Sequence, residues 1–253
     1  MFSKICLLFF VGCTPFVLDA VPVEENSAHI QIVETESWLD KWAKSDKDVL
    51  EQFSLFEHSL QKGVEKKLLT EADVAKIHQA VSFAAEKHQS QFRKNSKKTP
   101  YVIHPIGVAT HVVSIGNVYD VDIIIAALLH DVMDGTDATY DEIATYFGLK
   151  VATYIQEVTG DLTLSDKEQK KQQIIEAPHQ SKGATVIRLA DKLHNINTLM
   201  KDPSQGWSQD RLDGYFQWVH AVIDQLPSVN DPLKEAVHKT IAGYWEGQGE
   251  QSG

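Results

Sequence analysis

A short apolar run that ends in a histidine and a carboxylate constrains this chain more than any other feature. Residues 121–129 (VDIIIAALL) are apolar except for Asp122, and His130 and Asp131 follow directly. The run is too short to cross a bilayer, so it predicts a helix buried in a protein core. Burying an unpaired carboxylate is costly. The end of this helix therefore needs a salt bridge or a metal ion, unless the polar pair simply faces water.

Helical periodicity dominates the rest of the chain, and no long stretch alternates between apolar and polar residues. We therefore predict an all-α fold. Thr70 and Asp73 have the spacing of a capping box, which predicts that the main domain begins with a helix there. The predicted helices cover residues 36–62 (as one or two helices), 70 to 88 or 91, 105–113, 121–131, 141–147, 150–158, 167–177, 184–200, 212–226 and 233–245.

The N-terminus has the features of a signal peptide. Lys4 precedes an apolar run at residues 5–12, and Ala20 is a suitable last residue before a cleavage site. We predict that residues 1–20 are removed and that the protein is exported, to the periplasm or as a secreted protein. A protein that is not exported and merely has an apolar start is the alternative. Both cysteines lie in this segment, so the cleaved chain would contain no disulfide, thiolate metal ligand or cysteine nucleophile.

The remaining chain divides into three parts. Residues 21–69 are predicted to be a polar linker and an N-terminal helical extension, and residues 70–245 the main domain. The Gly-, Gln- and Ser-rich residues 246–253 are predicted to be a disordered tail. We predict no stable membrane span. The sequence does not predict the oligomeric state.

The formal net charge of −11 limits the ligands that the protein can bind. A nucleic-acid polymer requires a broad basic surface, which argues against such a partner. A small anionic ligand needs only a few clustered cations. Four basic residues lie in segment 93–98, just ahead of His104, and three more lie in segment 167–171.

A second apolar helix, at residues 184–200, also carries a carboxylate. Asp191 lies where the periodicity predicts at least partial burial. An ion pair with Lys192 or Arg188 is the alternative to a metal ion as its partner. His104 stands just before a predicted helix start, so that its imidazole can point into the core.

Together these positions predict one metal site with ligands from separate helices: His104, His130, Asp131 and Asp191. Two imidazoles and two carboxylates suit Mn²⁺, Fe²⁺ or Mg²⁺ better than a closed structural zinc site. In an octahedral shell they leave room for a water and a substrate oxygen, as metal-assisted hydrolysis requires. The ion would acidify the water and polarise a phosphoryl group.

The same four residues carry a family resemblance. Their order along the chain is that of the HD superfamily. The strings around them resemble the hydrolase domain of RelA/SpoT proteins, in particular the small, hydrolase-only form of metazoan type, over about residues 70–243. The strings are residues 92–95 (FRKN), 99–101 (TPY), 104–109 (HPIGVA), 127–131 (ALLHD), 136–137 (TD), 147–148 (FG), 158–159 (VT), 177–179 (APH), 189–193 (LADKL), 195 (N) and 206–208 (GWS).

The resemblance implies an HD-domain helical bundle, here with an extra N-terminal helical segment. It implies a hydrolase that removes the 3′-diphosphate from guanosine tetraphosphate and pentaphosphate with Mn²⁺, and some small members are associated with NADPH dephosphorylation. The four residues named above would be the metal ligands. A small phosphorylated nucleotide would be the partner. Its phosphates or base would contact Arg93, Lys94, Asn195, Arg211 and Tyr215.

One difference from the family concerns catalysis. The family has two adjacent acids, Glu-Asp, where this chain has Asp134 and Gly135. We expect Asp131 and Asp134 to be the catalytic carboxylates, with Asp134 helping to orient the attacking water. Asp137 either replaces the missing acid or caps the next element. Three functions remain open: an alarmone-type pyrophosphohydrolase, a phosphatase of NADPH or another nucleotide, and a nucleotide-binding module without catalysis.

Overall fold

The computed structural model describes residues 46–251. The predicted signal peptide, the linker and the start of the first predicted helix lie outside these residues. Within them the structure is α-helical, and an isolated β-bridge joins Phe92 and Pro100. The prediction of an all-α fold is confirmed. None of the helices in this range is both long and apolar enough to span a bilayer.

The helices are numbered in chain order. They are α1 (Lys47–Glu65), α2 (Glu71–Lys87), α3 (Ile103–Ser114), α4 (Val121–Leu129), α5 (Val132–Gly135), α6 (Tyr140–Phe147), α7 (Leu149–Val158), α8 (Asp166–Glu176), α9 (Lys182–Lys201), α10 (Gln209–Gln225) and α11 (Asp231–Gln251), with a 3-10 turn (Ala177–His179) between α8 and α9. Each predicted helix has a counterpart, although several ends differ. The capping box at the start of α2 is present, with Thr70 and Asp73 each accepting a hydrogen bond from the other's backbone N–H.

Helix α4 lies at the centre of the core. All residues from Ile123 to Leu129 are buried, because the helix packs against α2, α3, α7 and α9. Its three consecutive isoleucines have restricted χ1 rotamers, which lower helix propensity slightly. Burial of apolar area, at about 25 cal/mol per Å², therefore stabilises α4 more than its local sequence does. The C-terminal end of α4 is consequently fixed inside the protein.

Helix α1 packs along α3 and shares the same core. Phe56 is fully buried, and Gln52 Nε2 donates to Thr110 Oγ1 in α3 over 2.9 Å. At the start of α1, Asp48 accepts a hydrogen bond of 2.9 Å from Lys97, which lies in the loop between α2 and α3. The N-terminal extension thus contacts both the core of the main domain and that loop.

Two helix ends near the predicted site differ from the prediction. Helix α3 begins at Ile103, so His104 lies within its first turn rather than before it. The proline that follows is tolerated because N–H groups in the first turn have no intrahelical acceptor. Helix α4 ends at Leu129, and the chain turns at His130 and Asp131 before the short helix α5.

The last helix is longer than predicted. Helix α11 continues to Gln251, whereas we predicted a disordered tail at residues 246–253. Residues 246–251 contain two glutamates and two glutamines, which favour a helix enough to extend it past Gly247 and Gly249. Residues 252 and 253 lie outside the described residues.

Helices α3 and α9 approach each other closely at a glycine. A Cβ atom on Gly107 would lie 2.2 Å from Cδ2 and Nε2 of the His194 ring. Only glycine leaves room for that ring. Gly107 therefore determines how close α3 lies to α9, and with it the separation of His104 and Asp191.

We expect Gly107→Ala to lower the free energy of unfolding by about 1–3 kcal/mol, because the His194 ring must move. Gly214→Ala is the matched control, since a Cβ at this position in α10 would meet no atom within 4 Å. Alanine there should raise the free energy of unfolding by about 0.5–1 kcal/mol. Urea denaturation followed by circular dichroism measures both changes. Similar changes in the free energy of unfolding for the two variants would contradict the close approach of α3 and α9.

Candidate metal centre

Four side chains from three parts of the fold converge on one point. His104 lies in the first turn of α3, His130 and Asp131 follow α4, and Asp191 lies in the middle of α9. His104 Nε2 is 3.3 Å from Asp131 Oδ2 and 3.4 Å from Asp191 Oδ1. His130 Nε2 is 3.2 Å from Asp131 Oδ1 and 3.7 Å from Asp191 Oδ1. The structure thus brings together the four residues that the sequence analysis selected.

These distances suit a shared divalent cation. Ligand atoms bound to one ion at about 2.0–2.2 Å lie about 2.8–3.6 Å from one another, and three of the four distances fall in this range. His104, His130 and Asp191 offer ligand atoms that all lie within 4.8 Å of one another. The two imidazoles are buried, at 1% and 5% exposure. Such a mixed set of nitrogen and oxygen donors fits a divalent metal ion.

The hydrogen bonding of His130 favours metal binding. Its Nδ1 donates to the carbonyl of Ala127 over 2.8 Å, which directs Nε2 towards the two carboxylates. Nε2 is buried and has no hydrogen-bond partner among the described residues. Burial disfavours protonation of His130, but the carboxylates of Asp131 and Asp191 outweigh burial and raise its pKa to about 10. The same negative field favours a dication at this position.

His104 is oriented by a histidine that the sequence analysis missed. Its Nδ1 lies 2.9 Å from Nδ1 of His194 in α9. Burial holds the pKa of His194 well below its usual range, so this ring is neutral and can accept the Nδ1 proton of His104. The arrangement turns Nε2 of His104 towards the carboxylates. His194 lies three residues after Asp191, and this helical spacing was a signal that both face the same side.

Asp131 is held by a tyrosine that also had no predicted role. Tyr101 Oη donates to Asp131 Oδ2 over 2.5 Å. Burial and then the charge of Asp131 raise the pKa of Tyr101, so the hydroxyl remains a donor. Burial alone would raise the pKa of Asp131, but His130 and His104 hold it well below its usual range. Asp131 is therefore ionised and ready to bind a cation.

Asp191 lies among the imidazoles and also forms one of the two ion pairs considered above, the one with Lys192. It faces the imidazoles, and its Oδ2 also accepts a hydrogen bond of 3.0 Å from Lys192 Nζ. Asn195 Nδ2 donates to Asp191 Oδ1 over 2.6 Å, and Arg93 donates to Asn195 Oδ1 over 2.9 Å. Arg188, the other candidate for an ion pair, instead donates to backbone carbonyls at the end of α7. Arg93 and Asn195 are thus linked to the centre through Asp191.

Asp134, in α5, is the acid beside the centre. Burial on its inner side, and then the negative charge of Asp131, raise the pKa of Asp134 to about 6, while the N–H of Gly160 donates to its carboxylate. Asp137 is 88% exposed and lies 3.1 Å from Lys87 Nζ. It is therefore committed to a surface ion pair and does not take the place of the missing second acid.

The other residues predicted to contact a nucleotide differ in exposure. Lys94 and Arg211 are exposed, whereas Tyr215 is half-buried. Burial and then the charge of Asp191 raise the pKa of Tyr215, which indicates that its hydroxyl lies in the field of the centre. Lys97, from the first basic segment, is paired with Asp48 instead.

Tyr215 and two tryptophans form an aromatic cluster. The ring centroids of Trp207 and Trp218 lie 5.5 and 5.3 Å from that of Tyr215. Neither tryptophan had a predicted binding role. Each ring has a cation 4.5 to 5.5 Å from its centroid; these cations are Lys170, Lys192 and Arg211. Flat apolar faces beside positive charges are suited to a base and its phosphates.

Comparison with known proteins identifies the family. Residues 80–223 match the HD domain family. The mouse protein guanosine-3′,5′-bis(diphosphate) 3′-pyrophosphohydrolase MESH1 is 42% identical over 166 residues, which is 66% of this chain and 93% of the mouse protein. The human protein of the same name has the same identity and coverage. A solved structure described as a metazoan orthologue of SpoT that hydrolyses ppGpp matches with a TM-score of 0.66 and 38% identity, over 67% of this chain and 96% of that chain.

The prediction of export after cleavage near Ala20 is wrong. The chain is similar to metazoan pyrophosphohydrolases, and nothing in these matches indicates a signal peptide or export. A run of eight apolar residues after a single lysine also fits the start of a protein that is not exported. The segment that suggested export lies outside the described residues.

Three findings agree. The family match covers more than half of the chain, two relatives align over 93% of their own length, and the histidines and aspartates of the HD pattern converge in space. The chain therefore belongs to the HD-domain family, with the hydrolase domains of RelA/SpoT proteins and the small metazoan SpoT homologues.

Proposed function

We propose that this protein is a divalent-metal-dependent hydrolase that releases diphosphate from guanosine 3′,5′-bis(diphosphate), with Mn²⁺ as its metal. The convergence of His104, His130, Asp131 and Asp191 carries the proposal. Relatives that are 42% identical are named for this reaction. Two imidazoles and two carboxylates suit Mn²⁺, Fe²⁺ or Mg²⁺. We propose Mn²⁺ among these because of the resemblance to the RelA/SpoT hydrolases.

A divalent cation held by these residues would polarise a phosphoryl oxygen and lower the pKa of a water. The protein itself supplies the proton acceptor, for which we propose Asp134. Its pKa of about 6 leaves the carboxylate ionised at neutral pH yet basic enough to accept a proton. The N–H of Gly160 orients it.

The substrate would lie between the metal ligands and the aromatic cluster. Arg93, which is linked to Asp191 through Asn195, would meet the 3′-diphosphate. The base or ribose would contact Tyr215 and its neighbouring rings, with Arg211 and Lys94 towards the outer phosphates. Because the overall charge is −11, we assign the selection of a small polyphosphate to these local cations.

The direct test offers the purified protein and Mn²⁺ a panel of guanosine 3′,5′-bis(diphosphate), NADPH and guanosine 5′-diphosphate. We expect diphosphate and guanosine 5′-diphosphate from the first compound. Release of orthophosphate from NADPH alone would instead identify a nucleotide phosphatase, and saturable binding without turnover a non-catalytic module. Asp191→Ala should lose both bound metal, measured by mass spectrometry, and turnover. Glu235→Ala, which removes an exposed acid in α11, should lose neither.

The rate should fall as the pH drops through about 6, because the pKa of Asp134 is raised to about 6 and the carboxylate is protonated below that value. Below it the rate should decrease about tenfold per pH unit. Asp134→Asn should lower the rate by about 10²–10⁴-fold and abolish the decrease in rate at low pH. Asp137→Asn is the neighbouring control and should keep both the rate and its decrease at low pH. An unchanged pH profile in Asp134→Asn would exclude Asp134 as the base.

Restoring the second acid should increase turnover. A Cβ on Gly135 would meet only ordinary contacts, 3.5 Å from Gln91 Oε1 and 3.8 Å from His88 Cε1. Gly135→Asp should therefore fold and raise kcat, by about tenfold if the added carboxylate helps to orient the water. Gly135→Asn is the control with the same shape and no charge. An equal effect of the two variants would show that the missing acid does not limit the rate.

A further inference from the structure

The last two helices form an antiparallel pair. A five-residue connection, 226–230, joins α10 to α11. Phe216 stacks on Tyr244 with ring centroids 3.8 Å apart, and Tyr244 Oη donates to Asp213 Oδ1 over 2.6 Å. These contacts fix the register of the two helices. The residues one and two turns after Phe216 in α10 therefore face residues of α11 that come before Tyr244.

Two histidines and a carboxylate lie at that interface. His220 and Asp224 are four residues apart in α10, and His220 Nδ1 is 3.2 Å from Asp224 Oδ2. His238, in α11, places its Nε2 3.6 Å from Asp224 Oδ1. The two imidazole rings lie 5.5 Å apart at 74° to each other. One ligand atom from each residue falls within 4.8 Å of the other two.

This geometry fits a transition-metal ion. Ligand atoms bound to one ion at about 2.0–2.2 Å lie about 2.8–3.6 Å apart. The two histidine–aspartate distances, one to each oxygen of Asp224, fall in this range. Two imidazoles and one carboxylate suit Zn²⁺, Ni²⁺ or Cu²⁺ rather than Mg²⁺ or Ca²⁺, which take oxygen ligands. A helical pair spaced four residues apart offers two ligands on one face, and the neighbouring helix supplies the third.

We propose that His220, Asp224 and His238 form a second metal site, which binds a Zn²⁺-class ion and cross-links α10 to α11. The three side chains are between 36% and 50% exposed, so the ion can enter from solvent. A cleft of about 680 Å³ adjoins the two histidines and is lined also by Gln217, Ile241, Ala242 and Trp245. Water or another small ligand in this cleft completes the coordination of the ion.

This second site shares no residue with the HD centre, which is the centre formed by His104, His130, Asp131 and Asp191. It also does not depend on the proposed hydrolase activity. Its ligands come from α10 and α11, whereas those of the HD centre come from α3, α9 and the end of α4. The competing account is a simple ion pair, in which protonated histidines donate to Asp224. That account requires no metal and predicts no dependence on Zn²⁺.

Equilibrium dialysis of the full chain against Zn²⁺, with bound metal counted by mass spectrometry, distinguishes the two accounts. We expect His220→Ala and His238→Ala each to bind one Zn²⁺ per chain fewer than the unsubstituted protein. His58→Ala, which removes an exposed histidine of α1, is the matched control and should bind the full number. Asp191→Ala should lose the metal of the HD centre and keep this one, so the two sites are counted separately.

Thermal unfolding provides a second readout. Zn²⁺ should raise the unfolding midpoint of Asp191→Ala, because an ion bound only to the folded state stabilises it. Adding His238→Ala to that variant should abolish the shift, whereas adding His58→Ala should not. Equal Zn²⁺ stoichiometry in all of the histidine variants, together with equal thermal shifts, would leave only the ion pair and overturn the proposal.

Discussion

Asp131 and Asp191 place two negative charges beside His104 and His130, within a core that is otherwise built from apolar helices. An unpaired carboxylate in such surroundings costs several kcal/mol. Helices α3, α4 and α9 can therefore meet here only if positive charge lies among these side chains. Lys192 supplies part of that charge, and a divalent cation at the centre would supply the rest, so that metal binding would be coupled to folding here.

The four candidate ligands are held in place by neighbouring groups that lie outside the candidate metal site. The carbonyl of Ala127 and the ring of His194 each orient one imidazole, while Tyr101 and Lys192 each hold one carboxylate. Such outer contacts fix tautomers and side-chain rotamers, and their loss commonly lowers metal affinity by about 10–100-fold. Lys192 also lies over Trp218 of the aromatic cluster, so the centre and the proposed nucleotide surface share one cation.

The all-α fold could be predicted because apolar periodicity is a local signal. The candidate metal ligands could be selected from the sequence because charged residues interrupt apolar helices. His194 and Tyr101 were missed because their roles depend on contacts between segments distant in sequence, such as the 2.9 Å approach of His194 to His104. The predicted tail failed because two glycines were given more weight than the helix formers around them. Export was wrongly predicted because an apolar start has more than one cause.

Helix α1 lies outside the part of the chain that resembles the family, yet it reaches the loop that precedes α3. Asp48 holds Lys97 in this loop, only a few residues from Arg93 and Lys94. The bond is a surface ion pair, which can bias the position of the loop without locking it. A change in this appended helix can therefore shift the loop that carries the proposed phosphate contacts, while His104, His130, Asp131 and Asp191 stay unchanged.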